Sequence, residues 1–148
     1  MRALLQRVSE ASVTVEGERI GSIGHGLLVL LAIGEGDTDD DLAFITAKIP
    51  ALRIFEDDQG RMGRSLEETG GAILLVSQFT LYADLSRGRR PSFVGAMQPA
   101  PASELVDRAA RCWRERGITV ETGRFGADMK VALINDGPVT LWLDSRNR

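Results

Sequence analysis

Seven consecutive residues, Leu27-Leu28-Val29-Leu30-Leu31-Ala32-Ile33, carry no polar side chain. A strand points successive side chains to opposite faces, so this run is apolar on both and belongs at the covered centre of a sheet. Gly24-His25-Gly26 turns into it and Gly34-Glu35-Gly36 ends it. A second such run, Ala72-Ile73-Leu74-Leu75-Val76, follows Gly70-Gly71 and continues as Ser77-Gln78-Phe79. Two doubly buried strands require cover on either side, which places the chain among layered folds of helix and sheet.

The remaining pattern supplies that cover. Leu4, Gln6 and Val8, then Ala11, Val13 and Val15, alternate as two short strands meeting near Ser9-Glu10, and Arg19 to Ile23 makes a third. Asp37 suits a helix N-cap, with acids at 39, 40 and 41 in the favoured first turn. Leu42, Ile45 and Ile49 follow at helical spacing, and Pro50 is expected to end that helix. Arg53-Ile54-Phe55 before Glu56-Asp57-Asp58-Gln59-Gly60 reads as one arm of a hairpin. Residues 83 to 101 read as loop. A second helix is expected over 102 to 116, with Leu105, Val106, Ala109, Cys112 and Trp113 on one stripe and Gly117 as its stop. Strands return at 118–121, 129–135 and 139–144. The expected fold is α/β: a single compact domain over 1–148, with a curved, mostly antiparallel sheet or barrel-like β layers and two helices packed on one side.

Composition narrows the chemistry. At 148 residues and 43% hydrophobic, the chain can bury one substantial core. It holds one Cys and one His, so an internal disulfide framework and a Cys/His zinc cluster are excluded. Arg7 arrives too early for a secretory signal, and the longest apolar run is far below the roughly 20 residues a membrane-spanning helix needs. A cytoplasmic location is expected.

His25 lies between glycines with no partner pattern, which reads as a solvent-facing turn, because a general base needs a positioned partner. Cys112 falls on the apolar stripe, where a structural role is the default. The acidic run Glu35 to Asp41 lacks calcium-loop spacing and suits a helix start. Ser77-Gln78-Phe79-Thr80-Leu81-Tyr82 is different, because a buried strand turns polar where it should end. Sheets commonly place ligands beyond strand ends, but an edge strand with polar residues facing water is an equal alternative. Asn135-Asp136-Gly137-Pro138-Val139-Thr140 joins two strands and reads first as a plain turn. Its Gly-Pro bond can be cis at a cost of roughly 0.5–1 kcal/mol, with trans the ordinary form.

Together these segments resemble the signature of the D-aminoacyl-tRNA deacylase family, and the resemblance covers nearly the whole chain. Ser77-Gln78-Phe79-Thr80-Leu81-Tyr82-Ala83-Asp84, Gly88-Arg89-Arg90-Pro91-Ser92-Phe93, Gly123-Arg124-Phe125-Gly126-Ala127-Asp128-Met129 and Asn135-Asp136-Gly137-Pro138-Val139-Thr140 stand in family order. The opening Met1 to Val8 and Leu52-Arg53-Ile54-Phe55 match too, while Pro50 departs from the pattern without touching a motif. The resemblance implies a homodimer that hydrolyses the ester between a D-amino acid and the 3′ acceptor end of tRNA, without cofactor or metal. It implies that Ser77, Gln78, Phe79, Thr80 and Met129 hold the aminoacyl ester. It also implies that Gly137 and Pro138, joined by a cis bond, reach in from the partner subunit and select chirality.

The scarcity of His and Cys suits such a reaction. An aminoacyl ester is activated, and its ribose carries a 2′-hydroxyl beside the reacting carbon. Backbone amides at Phe79 or Thr80 can stabilise the oxyanion while the substrate's hydroxyl helps to activate water. Thr80 as a covalent nucleophile is the competing mechanism, weakened by the lack of a base in the motif. Steric rejection of L side chains leaves glycine uncontested, so glycyl-tRNA is an expected second substrate.

The alternatives are a non-catalytic tRNA- or nucleotide-binding module, using Arg87, Arg89 and Arg90 as phosphate contacts, and a dimeric small-molecule binder using the 77–82 groove. The net charge of −3 disfavours nucleic acid only on the surface of the arithmetic. Residues 84 to 116 hold seven arginines against four acids, leaving 11 basic and 17 acidic residues elsewhere.

Overall fold

The computed structural model describes residues 1–148. In chain order it contains β1 (Arg2–Val15), β2 (Glu18–Ile23), β3 (Gly26–Ala32), α1 (Asp39–Ala51), β4 (Phe55–Glu56), β5 (Met62–Arg64), α2 (Leu66–Thr69), β6 (Ala72–Ser77), a 3₁₀ turn (Phe79–Tyr82), α3 (Pro99–Glu115), β7 (Val120–Thr122) and β8 (Lys130–Asp144). Six strands form one curved, barrel-like sheet in the order β2-β1-β3-β6-β7, with β8 along the free side of β1. The pairs β1–β2, β1–β3 and β1–β8 are antiparallel, whereas β3–β6 and β6–β7 are parallel. The two doubly apolar runs are thus adjacent parallel strands at the sheet's centre, as double burial requires.

One sheet face packs against the helices. Leu5, Val29, Leu31 and Leu75 meet Ile45 and Ile49 of α1 and Ala109 and Trp113 of α3. Each fully buried Leu or Ile in this layer contributes roughly 1.5–3 kcal/mol. Trp113 also donates its indole N–H to the Thr46 carbonyl at 3.0 Å, tying α3 to α1. The opposite face closes on itself through a smaller cluster that includes Val8, Ala11, Val13, Leu28 and Leu74 and no helix residue. No helix is long and apolar enough to cross a membrane.

Several sequence expectations need correction. Residues 2–15 form one strand, not two. Its pairing with β8 shifts register around Val8, so Leu5 belongs to the helix-side core and Val8 and Ala11 to the other. The change of phase at Ser9-Glu10 marks a bulge in a continuous ladder rather than a strand end. There are three α-helices, because Ser65 and Glu68 cap a short turn at 66–69 that has too few residues to show periodicity. α1 continues one residue past Pro50. α3 begins at Pro99, a position that needs no amide donor, so part of the expected 83–101 loop is helical. The N-cap of α1 is Thr38. Asp37 is instead buried, 2.7 Å from the Met1 ammonium and accepting from the Gly34 amide at 2.6 Å.

The 135–140 segment is not a reversal. Asn135 pairs with Val8 and Thr140 with Gln6, so the same strand continues past a bulge of residues 136–139. Asn135 closes its base, donating to Thr140 Oγ1 and accepting from the Val139 amide, both at 2.9 Å. Asp-Gly signals a hairpin where two strands pair with each other. Here both arms pair with β1, so the loop projects from the edge strand. The Gly137-Pro138 peptide is cis.

Candidate functional site at the end of the central strands

β6 runs out at Ser77, and the Gln78 amide still bonds the Leu31 carbonyl of β3 at 2.8 Å. The chain then turns into the 3₁₀ segment, where Leu81 and Ala83 donate back to Gln78 and Thr80. The amides of Phe79 and Thr80 open that turn and have no acceptor within the chain. First-turn amides are the unpaired donors of any helix, and these two stand just beyond a strand end.

The turn is braced from behind. Arg2 donates to the Leu81 carbonyl at 3.0 Å, and its guanidinium lies 4.4 Å from the Tyr82 ring centroid. Tyr82 donates to Asp37 at 3.3 Å, and its ring fills the space a side chain at Gly34 would need. Burial first, and the Asp37 charge second, push the Tyr82 phenol well above its ordinary range. Tyr82 therefore stays protonated and is a support, not a base.

In front of the turn lies a cavity of about 530 Å³, within the range of roughly 300–1,000 Å³ of small-molecule sites. Ser77, Gln78, Phe79 and Met129 line it, as does the N-terminal part of α3 through Ala102 and Val106. Phe79 packs edge-to-face on Phe93 with centroids 5.0 Å apart. Asp128 is the only ionisable side chain on the wall, and Lys130 holds it at 2.9 Å. Thr80 does not line the cavity. Its hydroxyl accepts a hydrogen bond from the Gln78 side-chain amide.

His25 and Cys112 lie elsewhere, His25 exposed against Phe55 and Cys112 half-buried on α3. Arg87, Arg89 and Arg90 sit exposed on a loop clipped at its base by the Asp84–Ser92 bridge, directly before Phe93. Gly137 and Pro138 are exposed and do not line the cavity of their own chain.

Three contributors have no role that the sequence alone assigns. Phe93 and Phe125 wall the cavity; both stand in motifs that match the family, so their signal is present without a function attached. Arg7 is 5% exposed and donates to the carbonyls of Ile54 at 2.6 Å and Asp136 at 2.9 Å, anchoring the 136–138 loop. A hydrogen bond spanning 129 residues leaves no local trace.

Comparison with known proteins places the chain by family and fold. The family model for D-Tyr-tRNA(Tyr) deacylase matches residues 4–144. A D-aminoacyl-tRNA deacylase of Myxococcus xanthus (strain DK1622) is 59% identical over 98% of this chain and 95% of its own length. One from Chlorobaculum parvum (strain DSM 263 / NCIMB 8327) is 60% identical over 98% of both chains. Among solved structures, the c-Myc DNA unwinding element binding protein superposes with a TM-score of 0.92 at 41% identity, covering 97% of this chain and 98% of that one. A probable eukaryotic D-amino acid tRNA deacylase, 20% identical over 96% of this chain and 97% of its own, shares the fold with a TM-score of 0.82. By sequence over almost its whole length and by fold, the chain belongs to the D-aminoacyl-tRNA deacylase family of hydrolases.

Proposed function

We propose that this chain cleaves D-aminoacyl-tRNA, and glycyl-tRNA alongside it, by placing the ester carbonyl at the free amides of Phe79 and Thr80. The pair of unpaired amides beside a cavity whose one ionisable side chain, Asp128, is already paired with Lys130 carries this reading. Water adds to the carbonyl carbon and negative charge gathers on its oxygen, where the amides stabilise it. The ribose 2′-hydroxyl relays the proton from that water to the departing 3′-oxygen. The C–O ester bond breaks, releasing the amino acid and tRNA. Ser77, Gln78 and Met129 hold the aminoacyl group, and no cofactor or metal takes part.

Chirality is assigned to Gly137 and Pro138 of the partner subunit. Their carbonyls bind the substrate's amino group and leave room on one side of its α-carbon only. A homodimer is supported by β8, an edge strand whose Ile134 and Trp142 are 54% and 52% exposed. An open, partly apolar edge of that kind is suited to association. A cytoplasmic location fits the substrate.

The test is release of free amino acid from D-tyrosyl-, L-tyrosyl- and glycyl-tRNA. Rapid release from the D form and measurable release from glycyl-tRNA are expected, with the L form intact. Equal release from D and L contradicts the chiral assignment. Tight binding without release from any substrate favours the binding module. Inert glycyl-tRNA beside brisk D-tyrosyl release shows that the filter is not steric alone.

Arg87, Arg89 and Arg90 are assigned to phosphates of the acceptor end. None of them is in an ion pair within the chain. Replacing all three by alanine should raise KM for tRNA with little change in kcat. It should also flatten the slope of log KM against log salt by about one for each phosphate interaction removed. An unchanged slope removes the assignment.

A further inference from the structure

A second cavity adjoins the first. Its volume is about 440 Å³, and it is lined by Val15 and Glu16 at the β1–β2 turn and by Arg124 and Phe125. The stretch Phe125–Asp128 lines both cavities, so one wall divides them. Glu16 and Arg124 line only the second. Both are exposed and stand outside every ion pair of the chain. Glu16 is also the one non-glycine residue with positive φ, at 52°, so the backbone holds this carboxylate at a left-handed corner.

We propose that this second cavity binds the base of the penultimate nucleotide of the acceptor end, and that it is built for cytosine. The inference rests on the reading above, in which the first cavity receives the terminal aminoacyl-adenosine. The next nucleotide then lies one sugar-phosphate step away, and the shared wall puts the second cavity at that step.

The donor and acceptor pattern selects the base. Cytosine presents an exocyclic amine beside two acceptors, N3 and O2. A carboxylate accepts from the amine, a guanidinium donates to the acceptors, and an aromatic face supports the ring. Glu16, Arg124 and the 37%-exposed Phe125 supply those three parts. Uracil reverses the first two: its O4 would face the Glu16 carboxylate and its N3–H the guanidinium. A bare phosphate is disfavoured by Glu16 in the same cavity. Asp128 is occupied by Lys130, which leaves Glu16 as the unpaired acceptor.

The experiment uses the full-length protein and D-tyrosyl-tRNA whose penultimate nucleotide is cytidine or uridine. For the wild type, KM should be about tenfold lower with cytidine, at similar kcat, the scale of one good base-edge contact. Arg124→Ala should raise KM for the cytidine substrate to the uridine level. Glu16→Gln, whose amide can donate to O4, should narrow or invert the preference. Equal KM for both substrates in the wild type overturns the proposal, as does a preference that survives both variants. Equilibrium binding of the dinucleotides CpA and UpA gives a readout free of catalysis. Preference for CpA that both variants abolish supports the cytosine site even if no ester is cleaved, an outcome that would sink the deacylation reading alone. Equal binding of the two by wild type, together with equal KM, leaves the cavity without this role.

Discussion

Exchanging the peptide N–H of Thr80 or of Phe79 for an ester oxygen, by semisynthesis with the matching hydroxy acid, should lower the single-turnover rate on D-tyrosyl-tRNA about 10²–10³-fold. The exchange keeps each side chain and deletes one donor. Neither amide serves a hydrogen bond of the fold, so the deletion should not unfold the turn. The brace of Arg2, Tyr82 and Asp37 behind the turn remains untouched. Donors held in place before the reaction stabilise developing charge without reorganising, which is why one of them can matter this much. KM should move little, since the ground-state carbonyl gains less from the same donors. A rate within about threefold of the wild type in both ester variants removes the amides from the chemistry.

Gly137→Ala should lower kcat/KM for D-tyrosyl-tRNA about 10²-fold, the scale of a catalytic group displaced by about 1 Å, and reduce discrimination against the L form. Gly137 sits at φ +132°, a region L side chains rarely adopt. A Cβ there would lie 2.9 Å from Val139 Cγ2 and 3.0 Å from Arg7 Nη2. Arg7 is nearly buried and fixed by two carbonyls, so the loop must give way rather than the arginine. Residues 136–138 project from an edge strand and belong to neither hydrophobic cluster, so the thermal midpoint should change little. A variant that keeps the wild-type D-to-L ratio contradicts the role given to this loop.

What the sequence reveals and conceals follows from range. The pair β3 and β6 is legible because seven and five successive apolar residues admit few other placements. The polar end of β6 marks the candidate site because a change of polarity is also a local signal. The 135–140 segment misleads, since Asp-Gly carries the same turn signal whether a chain reverses or bulges. Only the shared pairing of both arms with β1 distinguishes them, and that is a long-range fact. Asp37 misleads in the same way. Its spacing suits a cap, yet it serves Met1 and Gly34 instead. The family resemblance points to Gly137 and Pro138, whereas Arg7, which holds their loop, emerges only when the chain is folded.

Deacylation here runs, on this account, on backbone donors and the substrate's own hydroxyl, with no side-chain nucleophile. Thr80→Val tests that claim most directly, because it deletes the hydroxyl of the competing nucleophilic mechanism and spares the Thr80 amide. In single-turnover reactions the variant should cleave D-tyrosyl-tRNA within about tenfold of the wild type and leave L-tyrosyl-tRNA intact, since the substitution removes only a hydrogen bond from the Gln78 side chain. Loss of several orders of magnitude, or an acyl adduct on Thr80 in the wild type, would contradict the account.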